Sequence, residues 1–67
     1  MSEIKTYTVS APGAIVTVER KGSESTISEY ITTPGGVTLK SRETRGDMTL
    51  IESLELAAWL IAAQEAE

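Results

Sequence analysis

The chain has 67 residues, ten acidic and six basic side chains, a net charge of −4, and neither cysteine nor histidine. Those absences exclude a disulfide framework, thiolate or imidazole metal ligation, and Ser-His-Asp or Cys-His catalysis within one chain, so no catalytic residue, metal or cofactor is expected. The length allows one domain, residues 1–67, near the size where ordering entropy and apolar burial almost cancel, and the acidity works against a ligand held by its phosphates.

Met1-Ser2-Glu3 lacks the basic start and apolar stretch of a secretory signal, and no segment is long and apolar enough to span a bilayer. A cytoplasmic protein is therefore expected. Lys5 to Val9 alternates as a strand, and Pro12-Gly13 has the order of a type II turn, because Pro fixes φ and Gly accepts a positive one. Ile15 to Arg20 is the second strand, Lys21 to Ser25 a polar loop, and Thr26 to Thr33 the third strand. Pro34-Gly35-Gly36 turns the chain into a fourth strand from Val37 to about Arg42. Gly46-Asp47 serves as the strand-to-helix turn, with Asp47 near the positive end of the helix dipole. Thr49-Leu50-Ile51-Glu52 is a capping box ahead of an apolar run, which predicts a helix over about 49–65. The class is α+β: a four-stranded antiparallel sheet of two hairpins, about residues 3–42, followed by one C-terminal helix packed on one face. Tyr7, Pro12-Gly13, Val16-Thr17-Val18 and Arg20 recur as Tyr30, Pro34-Gly35, Val37-Thr38-Leu39 and Arg42, an echo that strand and turn composition produces by itself.

Alternation assigns Tyr7, Val9, Val16, Val18, Ile27, Ile31, Val37 and Leu39 to the covered face of the sheet. The open face receives Thr6, Thr8, Thr17, Thr26, Ser28, Tyr30, Thr38, Lys40 and Arg42. At 3.6 residues per turn, Leu50, Leu54, Ala57, Ala58 and Ile61 share the helix face that meets the sheet. Leu56, Trp59, Leu60 and Ala63 form a second apolar group, surplus to a two-layer core and expected to serve a homodimer or a foreign protein partner.

Lys40, Arg42 and Arg45 place three of the six basic residues at the end of the last strand. With Tyr30 as a stacking platform they are a candidate nucleic-acid or anion contact, and as a solvated strand edge they discourage aggregation. Glu43 and Asp47 partly offset them. Arg45-Gly46-Asp47 spells a tripeptide read by adhesion receptors but is better explained by the turn it occupies. Glu52, Glu55, Glu65 and Glu67 lie on a solvated helix without a convergent pocket.

From roughly Val16 to Leu60 the chain resembles the positive-cofactor-four family of single-strand binders. The likeness rests on Glu29-Tyr30 in the third strand, the Pro34-Gly35 turn, the basic stretch Lys40 to Arg45, and Gly46-Asp47-Met48-Thr49-Leu50 leading into the helix. The resemblance implies a curved antiparallel sheet, a dimerising C-terminal helix, and single-stranded nucleic acid held over the sheet by Tyr30, Lys40, Arg42 and Arg45. The leading expectation is nonetheless a non-catalytic protein-binding module, an inhibitor or adaptor of the kind small viral or mobile-element genomes encode. A dimeric single-strand binder is the alternative.

Overall fold

A computed structural model describes residues 3–65; Met1-Ser2, Ala66-Glu67 and the side chain of Glu65 lie outside the described residues. Four strands, β1 (Ile4–Ala11), β2 (Ala14–Lys21), β3 (Glu24–Thr33) and β4 (Gly36–Arg45), are followed by one helix, α1 (Leu50–Glu65). The strands pair antiparallel in the order β1-β2-β3-β4, each neighbour reached through a tight turn. Pro12-Gly13 joins Ala11 to its partner Ala14, with Gly13 at φ +87°, the positive value a type II turn requires. The expected polar loop at Lys21 to Ser25 is itself a hairpin. Lys21 pairs with Glu24, and Gly22 takes φ +62° at the first central position, where a side chain would be strained. Because β3 therefore begins at Glu24, its first residues still need partners, and β4 runs on to Arg45 rather than stopping near Arg42.

Cross-strand partners share a face, so the register sorts the sheet into rows. Tyr7, Val18, Ile27 and Glu43 form one row of the helix-covered face; Val9, Val16, Glu29 and Ser41 form the next. The apolar members come from β1, β2 and β3, whereas β4 contributes only polar ones; Glu29 is the polar exception on β3. Accordingly α1 packs mainly on β2, also on β1 and β3, and does not reach β4. β4 is exposed along its whole length. The core consists of Ala14, Val16, Val18, Ile27, Ala57 and Ile61, with Tyr7, Val9, Ala11, Met48, Leu56 and Leu60 against it. Full burial of Val16 and Val18 contributes about 1.5–3 kcal/mol each.

Two expectations about faces fail for identifiable reasons. A β-bulge between Glu29 and Tyr30 leaves Lys40 without a partner in β3, since Glu29 pairs with Ser41 but Tyr30 pairs with Leu39. One inserted residue inverts the alternation. Leu39 and Val37 therefore stand on the open face beside Tyr30 and Thr32, while Thr38 moves to the helix side with Ile31. On α1 the buried stripe runs through Ser53, Ala57, Ile61 and the half-buried Gln64, so two polar residues belong to it. Apolarity alone misplaces that stripe: Ala58 is exposed, and Leu56 and Leu60 turn inward.

The polar residues of the stripe are matched by polar residues of the sheet. Ser53 Oγ lies 2.6 Å from Ser25 Oγ and donates to the Thr49 carbonyl at 2.9 Å. Arg20 donates from Nη1 to Ser25 Oγ at 2.7 Å and to the Met48 carbonyl. The Met48 amide donates to the Ser23 carbonyl at 3.1 Å. This cluster pins the start of the helix to the β2–β3 hairpin, and no buried side-chain nitrogen or oxygen among the described residues is left without a partner.

Candidate functional site

The cations at the end of β4 do not gather into one patch. Arg42 rises on the open face opposite Ser28, donating from Nε to Ser28 Oγ at 3.0 Å and from Nη2 to Tyr30 Oη at 3.2 Å. Two anchors hold its guanidinium in place, and donors remain free because five N–H groups are available. Lys40, at the bulge, instead reaches the helix side, with Nζ 4.0 Å from Glu29 Oε2. Arg45 donates from Nε to Glu43 Oε1. Tyr30 and Arg42 are thus brought together, whereas Lys40 and Arg45 are drawn to carboxylates on the opposite face.

Glu29 organises this divergence. Only 5% of it is exposed, yet it lies in the row of Val9 and Val16. A carboxylate there needs partners to offset its desolvation. Ser41 Oγ donates to Oε1 at 3.1 Å, Gln64 Nε2 donates to Oε2, and Lys40 adds its charge. Both residues at the bulge, Lys40 and Ser41, are in this way drawn to one side of β4, which leaves Leu39 and Arg42 to the other.

Three cross-strand rows span all four strands on the open face: Thr6, Glu19, Thr26 and Thr44; Thr8, Thr17, Ser28 and Arg42; Ser10, Ile15, Tyr30 and Leu39. Hydroxyls fill the middle of the sheet. Ile15, Tyr30, Leu39 and Val37 make an apolar corner near the β3–β4 turn, with Leu39 46% and Val37 61% exposed. Among the described residues no cavity is found, and the groups open to a partner lie on faces.

On α1, the four residues expected to form a docking face separate. Leu56 and Leu60 pack against the core, Trp59 is 64% exposed, and Ala63 is exposed. Ile51 and Ala58 are exposed elsewhere on the helix. At its start the capping box is reciprocal. The Glu52 amide donates to Thr49 Oγ1 at 3.1 Å, and the Thr49 amide donates to Glu52 Oε1 at 2.9 Å. The Thr49 backbone amide first, and the Thr49 hydroxyl second, hold the Glu52 carboxyl below its ordinary range.

Ser25, Ser53 and Gln64 carry no signal of their own in the sequence, and Glu29 and Arg20 enter there only through the resemblance and the internal echo. Counting by twos from Val16 and Val18 reaches Arg20, and from Ile27 reaches Ser25 and Glu29, so parity carried the signal. Comparison with known proteins finds no matching family model, no matching curated protein and no matching solved structure.

Proposed function

We propose that this chain is a small non-catalytic protein-binding module, an inhibitor or adaptor that works by occluding its partner. The observation that carries the reading is the bulge at Lys40, which turns Leu39 and Val37 outward beside Tyr30 and Ile15, with Arg42 at their edge. Aromatic and aliphatic side chains around an anchored Arg have the composition of an interface centre, and these residues have no covering element of their own. The test is capture of a protein from extracts of the source cells after nucleic acid has been digested. Leu39→Glu is expected to abolish capture with thermal unfolding unchanged, and Arg42→Ala to weaken it at some cost in stability, because the buried Ser28 hydroxyl loses its donor. Undiminished capture by Leu39→Glu would sink the reading.

The pairing of Arg42 with Tyr30 supports a second reading, a single-strand nucleic-acid binder using the same face. Of the three cations at the end of β4, a strand laid there would meet Arg42 alone. One phosphate contact gives a salt slope of only about −0.7 on single strands. Fluorescence anisotropy with a labelled oligonucleotide separates the two. Tight, steeply salt-dependent binding, with Tyr30→Ala costing about 1–3 kcal/mol, would put the second reading first.

A further inference from the structure

The sheet has two edges, and they are built differently. β4 carries Lys40, Arg42, Glu43 and Arg45 and is interrupted by the bulge. Charges and bulges are the devices that stop one edge strand from pairing with another. β1 is less protected: its sequence IKTYTVSA contains a single charge, Lys5, near one end, with no Pro and no bulge, and it pairs without interruption with β2. A regular, nearly uncharged edge is a template for another strand.

Its outward groups can be identified. The two-residue turn makes Ala11 and Ala14 a hydrogen-bonded pair, and such pairs alternate along an antiparallel ladder. Ala11, Val9, Tyr7 and Lys5 therefore bond to β2, and Ser10, Thr8, Thr6 and Ile4 direct their N–H and C=O groups away from the sheet. Tyr7, Val9 and Ala11 pack against the core yet remain only half-buried at its rim.

We infer that a second copy of this chain pairs with the first through antiparallel β1 edges, about a two-fold axis at Thr8. In that register Thr8 meets Thr8 of the other copy and Thr6 meets Ser10, so the outward amides and carbonyls bond to each other. On the helix side Tyr7 meets Val9 twice, an aromatic against a β-branched residue, which is a favourable cross-strand pair. Lys5 meets Ala11, so no like charges are opposed. The contact is isologous and closes as a dimer, joining two four-stranded sheets into one of eight.

The outer flank of α1, where Ile51, Ala58, Trp59, Ala62 and Ala63 are exposed, is a separate surface. With Leu56 and Leu60 turned to the core, Trp59 and Ala63 are what remains of the expected four-residue face.

The absence of cysteine makes the test clean. Sedimentation at high micromolar concentration is expected to give a dimer that Thr8→Pro halves in mass. Because the Thr8 amide faces outward, Pro is tolerated there by the single chain, and far-ultraviolet circular dichroism checks that it folds. Thr8→Cys is expected to form an interchain disulfide under mild oxidation, and Thr44→Cys on β4 is not. Trp59→Ala is expected to leave the dimer intact. A monomer at that concentration, a dimer indifferent to Thr8→Pro, or one lost in Trp59→Ala would each overturn the inference.

Discussion

Thr49 and Glu52 close the helix start on each other, each side chain accepting the other's amide, and this exchange has a pH dependence of known sign. A carboxyl whose folded value is depressed adds stability while it is ionised. That contribution is complete above the ordinary value of 4.5 and is lost as pH falls through the lower folded value. Glu52→Gln should therefore flatten the acid limb of thermal stability, lowering stability near neutrality and leaving it nearly unchanged at the acid end. Thr49→Ala removes the acceptor of the Glu52 amide and should cost about 1 kcal/mol, read by thermal unfolding at neutral pH. An unchanged melting temperature in Thr49→Ala would mean that another residue caps the helix. Asp47, at φ +52°, occupies the left-handed region that Asp tolerates better than most residues, and it turns the chain from β4 toward α1.

At the scale of elements, the contrast between Leu60 and Trp59 is the most direct check on how the helix is seated. Leu60 packs against the core and Trp59 projects from it. Leu60→Ala should cost about 2 kcal/mol as a partial cavity, whereas Trp59→Ala should stay within about 0.5 kcal/mol, both measured by denaturant unfolding of the monomer. The opposite ranking would mean that α1 is rotated. From residues alone, Leu56 and Leu60 look like a surplus, because apolarity is the usual guide to a buried stripe. Ser53 and Gln64 defeat that guide: their partners, Ser25 and Glu29, are distant in the chain, and only the folded register brings them together. The strands were legible because turn chemistry and alternation are local properties, and each of the four expected strands is present. The bulge was not. It depends on Glu29 holding both Lys40 and Ser41 on one side, a contact between strands that no local pattern announces. The same invisibility split the expected cationic cluster, leaving Arg42 with Tyr30 and sending Lys40 and Arg45 to Glu29 and Glu43.

For the whole molecule, joining two copies at β1 gives the open-face corner a geometry that one copy lacks. β1 lies at the centre of the eight-stranded sheet and β4 at its two ends, so across the strands the two Leu39 positions stand seven spacings apart, about 34 Å, and the two Tyr30 positions five, about 24 Å. A two-fold axis perpendicular to the sheet keeps both open faces on the same side. Two identical sites facing one way can engage a partner that presents its epitope repeatedly, and the second contact is then made at an effective concentration set by the fixed span. The expected signature is a difference between assays. Against the captured partner immobilised at high density, Thr8→Pro should weaken apparent binding by about 10²-fold or more through loss of avidity. Against a single copy of that partner in solution, the same variant should bind as well as the unaltered chain, because Leu39 and Arg42 lie on the far edge strand from Thr8 and Tyr30 on the strand beside it. Leu39→Glu should fail in both assays. Equal loss in the two assays for Thr8→Pro would place Thr8 in the binding surface itself and remove the case for two cooperating sites.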